Sequence, residues 1–219
     1  MAAQPNPTPP ATDAAADAAG TPVLPVVPAP HAPVVAFDPE LLLRAQEVRV
    51  AFFDVDGVLT DGGIYFSEYA ESDPRVGGEL SKRFNTLDGH GLKLLQRAGI
   101  EPVVITGRDS RPLRARLQAL GISRVYYGTE RKLPAAEETL ARLGLQWHQA
   151  AAMGDDWPDL PVMRRAAFSC APPGAHAEVR AVAHHVTAAT AGHGAARELC
   201  DLLLVAGGRY RALLQDYLA

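Results

Sequence analysis

Asp54 and Asp56 follow directly on an apolar run from Val48 to Phe53, and no other feature constrains the fold of this chain as tightly. A short, nearly continuous apolar run reads as a strand buried on both faces, the kind that builds parallel sheets. Carboxylates at the C-terminal end of such a strand stand where open α/β sheets bind their ligands. Burying paired acids costs free energy unless a metal or a reaction uses them. Gly57 lets the chain leave the strand in a conformation that a side chain would oppose.

A second set of acids supports the same reading. The segment 149–153 is another plausible strand, and it ends in Gly154, Asp155, Asp156 and, three residues on, Asp159. Two strands therefore deliver carboxylates to one rim of a sheet. Hard oxygen ligands in small number suit Mg²⁺, which keeps positions open for water and phosphate oxygens. The alternating acids and distant Glu of a calcium-binding EF-hand loop are absent.

Apolar strand candidates alternate with amphipathic helices along the rest of the chain. The strands are expected at 48–53, 102–106, 124–127, 150–153, 166–170 and 184–187. The helices are expected at about 88–98, 110–120, 132–143, 158–165, 174–182 and 194–206. An earlier helix starts at Asp38 and Pro39, a capping residue followed by proline in the first turn. This alternation predicts an α/β fold, a doubly wound parallel sheet with right-handed crossovers. Residues 61–87 break the pattern with two short strands around a polar, Gly- and Pro-containing link, a small β-hairpin flap rather than a large cap domain.

Residues 1–36 differ in kind. They are dominated by Ala and Pro and carry no Lys or Arg, which first occurs at Arg44. This composition predicts a disordered, locally extended tail ahead of a single domain at 37–219. Pro22, Pro25, Pro28 and Pro30 interrupt the only candidate signal peptide, and no stretch reaches the roughly 20 apolar residues of a membrane span. A net charge of −4 with 21 Lys and Arg argues against a nucleic-acid partner. Cys170 and Cys200 form neither a CxxC pair nor a disulfide framework, so free thiols in a reducing, cytoplasmic compartment are expected.

Other segments carry weaker chemical signals. A strand ending in Thr106, Gly107 and Arg108 supplies a hydroxyl and a cation that can hold a phosphate. Lys132 opens a helix, where its charge opposes the helix dipole and a purely structural role is poorly served. The chain lacks a GxxxxGK[ST] phosphate loop and nucleophile-elbow spacing. His184 and His185 read as packed or exposed side chains rather than metal ligands.

Taken in order, DVDGVLT at 54–60, Thr106-Gly-Arg108, Lys132 and Gly154-Asp155-Asp156 resemble the four-part signature of haloacid dehalogenase superfamily phosphatases. Three further segments, Phe84 to Gly91, Gly154 to Asp156 and Gly192 to Glu198, are similar to the branch that hydrolyses 3-deoxy-D-manno-octulosonate 8-phosphate, a precursor in lipopolysaccharide synthesis. Relatives acting on nonulosonate 9-phosphates or other phosphosugars share much of this pattern, and a non-catalytic protein on the same fold is a third alternative.

The resemblance implies a phosphoric monoester hydrolase with Asp54 as nucleophile and Asp56 as general acid and base. It places Mg²⁺ on Asp54, the Asp56 backbone carbonyl and Asp155, with Asp156 and Asp159 in support. Thr106 and Lys132 would hold the transferring phosphoryl group. Asp56, Asn85, Thr86, Leu87, Asp88, Gly89, Lys93, Arg108, Arg116 and Lys132 would bind a phosphorylated sugar acid. Lys93 and His193 stand where the family pattern has Arg, and the link at 71–78 exceeds the family's length. The resemblance also implies a homotetramer, and the motif spacing separately argues for a homo-oligomer. The segments between Asp56, Thr106 and Lys132 hold only the hairpin, two helices and a strand, which leaves no covering domain, and a neighbouring subunit can wall the site.

Overall fold

A computed structural model describes residues 32–66 and 79–219. The expectations for tail residues 1–31 and link residues 67–78 lie outside the described residues. The elements in chain order are α1 (Pro39–Ala45), β1 (Val50–Phe53), β2 (Tyr65–Phe66), β3 (Glu79–Ser81), α2 (Thr86–Arg97), β4 (Glu101–Ile105), α3 (Arg111–Leu120) and β5 (Arg124–Tyr126). They continue with α4 (Lys132–Leu143), β6 (Ala150–Met153), α5 (Leu160–Met163), β7 (Phe168–Ala171), α6 (Ala177–Val182), β8 (His185–Val186), α7 (Ala195–Ala206) and α8 (Tyr210–Gln215).

Six strands form one parallel sheet in the order β5-β4-β1-β6-β7-β8, and β2 pairs antiparallel with β3. The central strand β1 aligns Phe53 with Val104 of β4 and Met153 of β6, so three strand ends lie level. The chain crosses to opposite sides of β1 on leaving it for β4 and on returning to β6. That reversal opens a crevice beyond the strands' C-terminal ends.

Side chains alternate across β1 as a pleated strand requires. Ala51 and Phe53 join the core under α1, α2, α3 and α7, whereas Val50 and Phe52 join the one under α4, α5 and α6. The alanine run of β6 has high helix propensity, but it is fully buried between β1 and β7 and forms a strand.

Local chemistry moved several boundaries. Asn85 accepts the Leu87 backbone N–H at 2.8 Å, so α2 starts at Thr86 rather than at 88. The helix expected at 158–165 is a 3-10 turn over Trp157–Asp159 followed by the short α5. The one expected at 174–182 begins at Ala177, after two prolines and a cap by His176.

Helices α2 and α7 lie against each other, and two small features of α2 permit it. A Cβ at Gly91 would stand 3.0 Å from the Arg197 side chain and 3.1 Å from Cys200, which explains a glycine inside a helix. Asp88, only 2% exposed, accepts backbone N–H bonds from Gly194 (3.2 Å) and Arg197 (2.9 Å). It thus caps a neighbouring helix from the side, satisfying donors α7 cannot pair internally. Asp88→Ala is expected to cost about 2–4 kcal/mol by stranding these donors, and to lower the melting temperature by roughly 5–15 °C. Thermal unfolding followed by circular dichroism checks this. An unchanged melting temperature would show that α7 starts without this cap.

Candidate active site

The cleft at the strand ends has a volume of about 580 Å³. Its walls include Asp54, Asp56, Thr106, Arg108, Lys132 and Asp155. They arrive from the ends of four segments. Asp54 follows β1, and its backbone N–H donates to Met153 O at 3.1 Å. Thr106 follows β4 and is 1% exposed, with its hydroxyl accepting the Arg108 N–H at 3.2 Å. Lys132 opens α4, and Asp155 stands two residues beyond β6.

Lys132 is the hub. Its ammonium lies 2.7 Å from Asp54 Oδ1 and 2.6 Å from Asp159 Oδ1, with only 6% of its side chain exposed. Burial alone would depress its pKa, but the Asp159 and Asp54 carboxylates outweigh burial and raise it, so the charge persists. Asp159 also accepts the backbone N–H groups of Asp155 (3.2 Å) and Asp156 (3.3 Å). One carboxylate therefore fixes both the lysine and the acidic loop. Asp156 turns away to cap the 3-10 segment, accepting the Trp157 N–H at 2.8 Å.

Oxygens of Asp54, Asp155 and Asp159 lie within 4.8 Å of one another. Burial and then this crowding raise the proton affinity of Asp54 and Asp155. The Asp155 pKa is pushed up to about 8, first by burial and then by the charges of Asp54 and Asp159. Asp54 is raised to about 6 by burial and Asp159, against the pull of Lys132. Asp155 Oδ1 is buried without a hydrogen-bond partner. Gly57, at φ +84°, makes room for this acid, because a Cβ there would lie 2.1 Å from Asp155 Oδ2. Crowded carboxylates with an unpartnered buried oxygen fit a hard divalent cation, and Asp159 is engaged with Lys132 and the loop.

Asp56 stands apart from that cluster. Its Oδ1 is bonded to Lys82 Nζ, reaching in from just past β3. Its Oδ2 lies 3.3 Å from Arg108 Nε, on a half-exposed side chain.

The other expected substrate residues do not line this cleft. Asn85, Thr86, Leu87, Asp88 and Gly89 form the N-terminus of α2, where Asp88 is committed to α7. Arg116 donates to Asn85 O at 3.1 Å, and Lys93 is exposed on α2. His193 bonds its own loop at Ala191 O, 2.9 Å away. His185 pairs with Glu198 at 2.8 Å and His184 with Ser169, consistent with packed histidines. Sequence reasoning missed Lys82 and also Glu130, which joins the cleft wall. No pattern of spacing marks either one.

A family model of haloacid dehalogenase-like hydrolases matches residues 128–199. The 3-deoxy-D-manno-octulosonate 8-phosphate phosphatase of Yersinia pestis is 41% identical over 167 residues, covering 76% of this chain and 85% of the relative. The chain belongs to the haloacid dehalogenase-like phosphatases. A probable YrbI family phosphatase of Pseudomonas syringae superposes with a TM-score of 0.77 at 43% identity, covering 83% of this chain and 99% of the other. The octulosonate phosphatase of Moraxella catarrhalis, solved with magnesium, phosphate and KDO, gives 0.75 at 35% identity, covering 81% and 98%. Family membership accounts for the parallel sheet, the acid cluster and the hydrolase chemistry together.

Metal and proton compete for the same oxygens. For an acid with a raised pKa, the folded state holds a proton that the unfolded chain has already released. Its contribution to stability is present at low pH and is lost as pH rises from the ordinary 3.8 toward about 8. A bound cation replaces that proton. The melting temperature of the metal-free protein is therefore expected to fall between about pH 6 and about pH 8, and the rise produced by saturating Mg²⁺ to grow over that interval. Asp155→Asn should remove most of both effects. Scanning calorimetry at the two pH values measures them, and a magnesium effect independent of pH would contradict the assignment.

Proposed function

We propose that the protein hydrolyses the phosphomonoester of 3-deoxy-D-manno-octulosonate 8-phosphate in a Mg²⁺-dependent reaction, releasing the free sugar acid and inorganic phosphate. One observation carries this reading. The cleft places Asp54, Lys132 and the Asp155 acid together opposite Asp56, in a chain matched over three-quarters of its length by an octulosonate 8-phosphate phosphatase.

In this reading Asp54 attacks phosphorus and forms an aspartyl-phosphate, which divides the hydrolysis into two easier steps. Asp56 gives its proton to the departing sugar oxygen and then takes one from the attacking water. Thr106 and Lys132 hold the phosphoryl oxygens while their charge redistributes. Asp54, Asp155 and the Asp56 carbonyl would hold Mg²⁺, which supplies positive charge to the phosphoryl oxygens. Arg108, on the rim, would bind the anionic sugar acid.

The placement of Asn85 through Gly89, Lys93 and Arg116 away from the chain's own cleft favours a homotetramer in which these residues approach a neighbour's cleft. Tyr65 and Leu87, both more than half exposed on that side, suit a subunit contact. Asp88 would contribute by fixing α2 against α7 rather than by touching the sugar. Buried free thiols at Cys170 and Cys200 favour the cytoplasm.

Phosphate release from a panel of phosphorylated sugar acids tests the substrate, with the octulosonate 8-phosphate expected to be hydrolysed fastest. Preference for a nonulosonate 9-phosphate would move the assignment to that branch. Asp54→Asn should keep the fold and lose at least ~10³-fold in turnover. Near-normal turnover in that variant would exclude the covalent mechanism.

The assembly has its own test. Light scattering should give a tetramer. Co-expression of Asp54→Asn with Arg116→Ala should produce mixed assemblies more active than either variant alone, because one subunit keeps the nucleophile and the other the intact α2 edge. A fully active monomer, or no gain on mixing, would refute the shared site.

A further inference from the structure

Lys82 has no assigned role, yet its side chain is wholly withdrawn from solvent and its ammonium bonds Asp56 Oδ1. It comes from the hairpin, 26 residues along the chain from Asp56. The two cations at Asp56 differ in setting. Arg108 is 47% exposed and lines the cleft, as does Asp56. Lys82 is not among the described residues that line the cleft. An enclosed lysine bonded to Asp56 Oδ1 from outside the cleft wall is poorly placed to bind substrate and well placed to set the direction of the acid.

We propose that Lys82 is a positioning residue for the leaving-group proton transfer. It anchors Asp56 Oδ1 so that Oδ2, the oxygen facing Arg108 and the cleft, carries and delivers the proton. The inference rests on the reading of Asp56 as general acid. In the step concerned, an Asp54 oxygen forms a bond to phosphorus and the phosphorus–sugar oxygen bond breaks. The electron pair of that bond stays on the sugar oxygen, which takes the proton from Asp56 Oδ2. A sugar alkoxide is a poor leaving group and needs this proton at the moment of bond breaking. A p-nitrophenolate is a stable anion and leaves without one. The contact from Lys82 therefore matters for the first substrate and not for the second. Asp54, held by Lys132 on the other side of the site, is untouched in both cases.

The experiment compares Lys82→Met, Lys82→Arg and Asp56→Asn in the full chain with Mg²⁺. First-turnover rates are measured by rapid quench on octulosonate 8-phosphate and on p-nitrophenyl phosphate. First turnovers isolate phosphoryl transfer to Asp54 from the later hydrolysis, which both substrates share. Lys82→Met is expected to slow the sugar phosphate by about 10²-fold, the scale of a misplaced catalytic group. It should keep the p-nitrophenolate burst within about threefold, with little change in KM for the sugar. Lys82→Arg restores a cation that can still reach Asp56 and should recover much of the sugar rate. Equal slowing of both substrates by Lys82→Met, in protein with native circular dichroism, overturns the proposal. So does Lys82→Arg with no recovery, or an effect confined to KM. Asp56→Asn separates the two layers, since it should show the same split more strongly. If it does not, the reading of Asp56 as the acid fails and the role of Lys82 falls with it.

Discussion

Three carboxylates share the end of two adjacent strands, and the electrostatic cost of bringing them together governs the rest of the site. Asp54, Asp155 and Asp159 converge within 4.8 Å in a largely buried pocket. Unscreened like charges at that range oppose one another strongly, more so as water is excluded. The chain answers with one internal cation, Lys132, placed between Asp54 and Asp159. A single positive charge cannot balance three acids, and the pKa values of Asp54 and Asp155 are raised, by burial first and by the neighbouring carboxylates next. That imbalance gives the site its affinity for an external cation, and it requires the sheet to be rigid enough to hold the acids in place.

The rigidity is built from both faces of the sheet. Beneath one face, α2 and α7 approach closely through Gly91 and are tied by Asp88 to the start of α7. Beneath the other, α4 carries Lys132 at its first turn, so the helix that covers the sheet also delivers the lysine. A cation at a helix N-terminus opposes the backbone dipole by a few tenths of a kcal/mol up to about 1 kcal/mol. Two carboxylates in direct contact outweigh that penalty here.

The parts of this arrangement fixed by local rules were legible in the chain itself. The apolar run ahead of Asp54, the alternation of strand and helix, and the glycines at helix ends each follow from short-range physics. They place Asp54, Thr106, Lys132 and Asp155 at one edge, and the structure brings all four into one cleft. The parts that escaped depend on tertiary approach. Nothing in the spacing of Lys82 shows that the hairpin folds back far enough to bring it to Asp56. Nothing around Asp88 shows that its carboxylate meets backbone donors more than 100 residues away. Its resemblance to a sugar-binding residue and its structural commitment to α7 look alike in sequence, because both favour an acid at the start of a helix. The short 3-10 turn at Trp157 escaped because two prolines and a cap by Asp156 act within six residues, below the length over which periodicity is informative.

Asp54 and Asp56 are two residues apart and yet belong to different parts of the molecule. Asp54 is held by core elements, the end of β1, the start of α4 and, through Lys132, the loop after β6. Asp56 is held by Lys82 just past β3, by Arg108 on the cleft rim and by the Thr60 hydroxyl, which donates to Oδ1 at 3.4 Å. Environment, not residue type, divides the labour between neighbouring carboxylates. The proposed attack on phosphorus thus depends on the sheet and its covering helices, whereas the proposed protonation of the leaving group depends on an insertion outside them. The charged partners described for the two differ, Lys132 for Asp54 and Lys82 with Arg108 for Asp56, so on the proposed roles a change in the hairpin bears first on Asp56. On the proposed roles, the handling of the leaving group can vary on this fold while Asp54 and Lys132 keep their arrangement. In that reading the hairpin aims one carboxylate, and the core holds Asp54 through Lys132 and the end of β1.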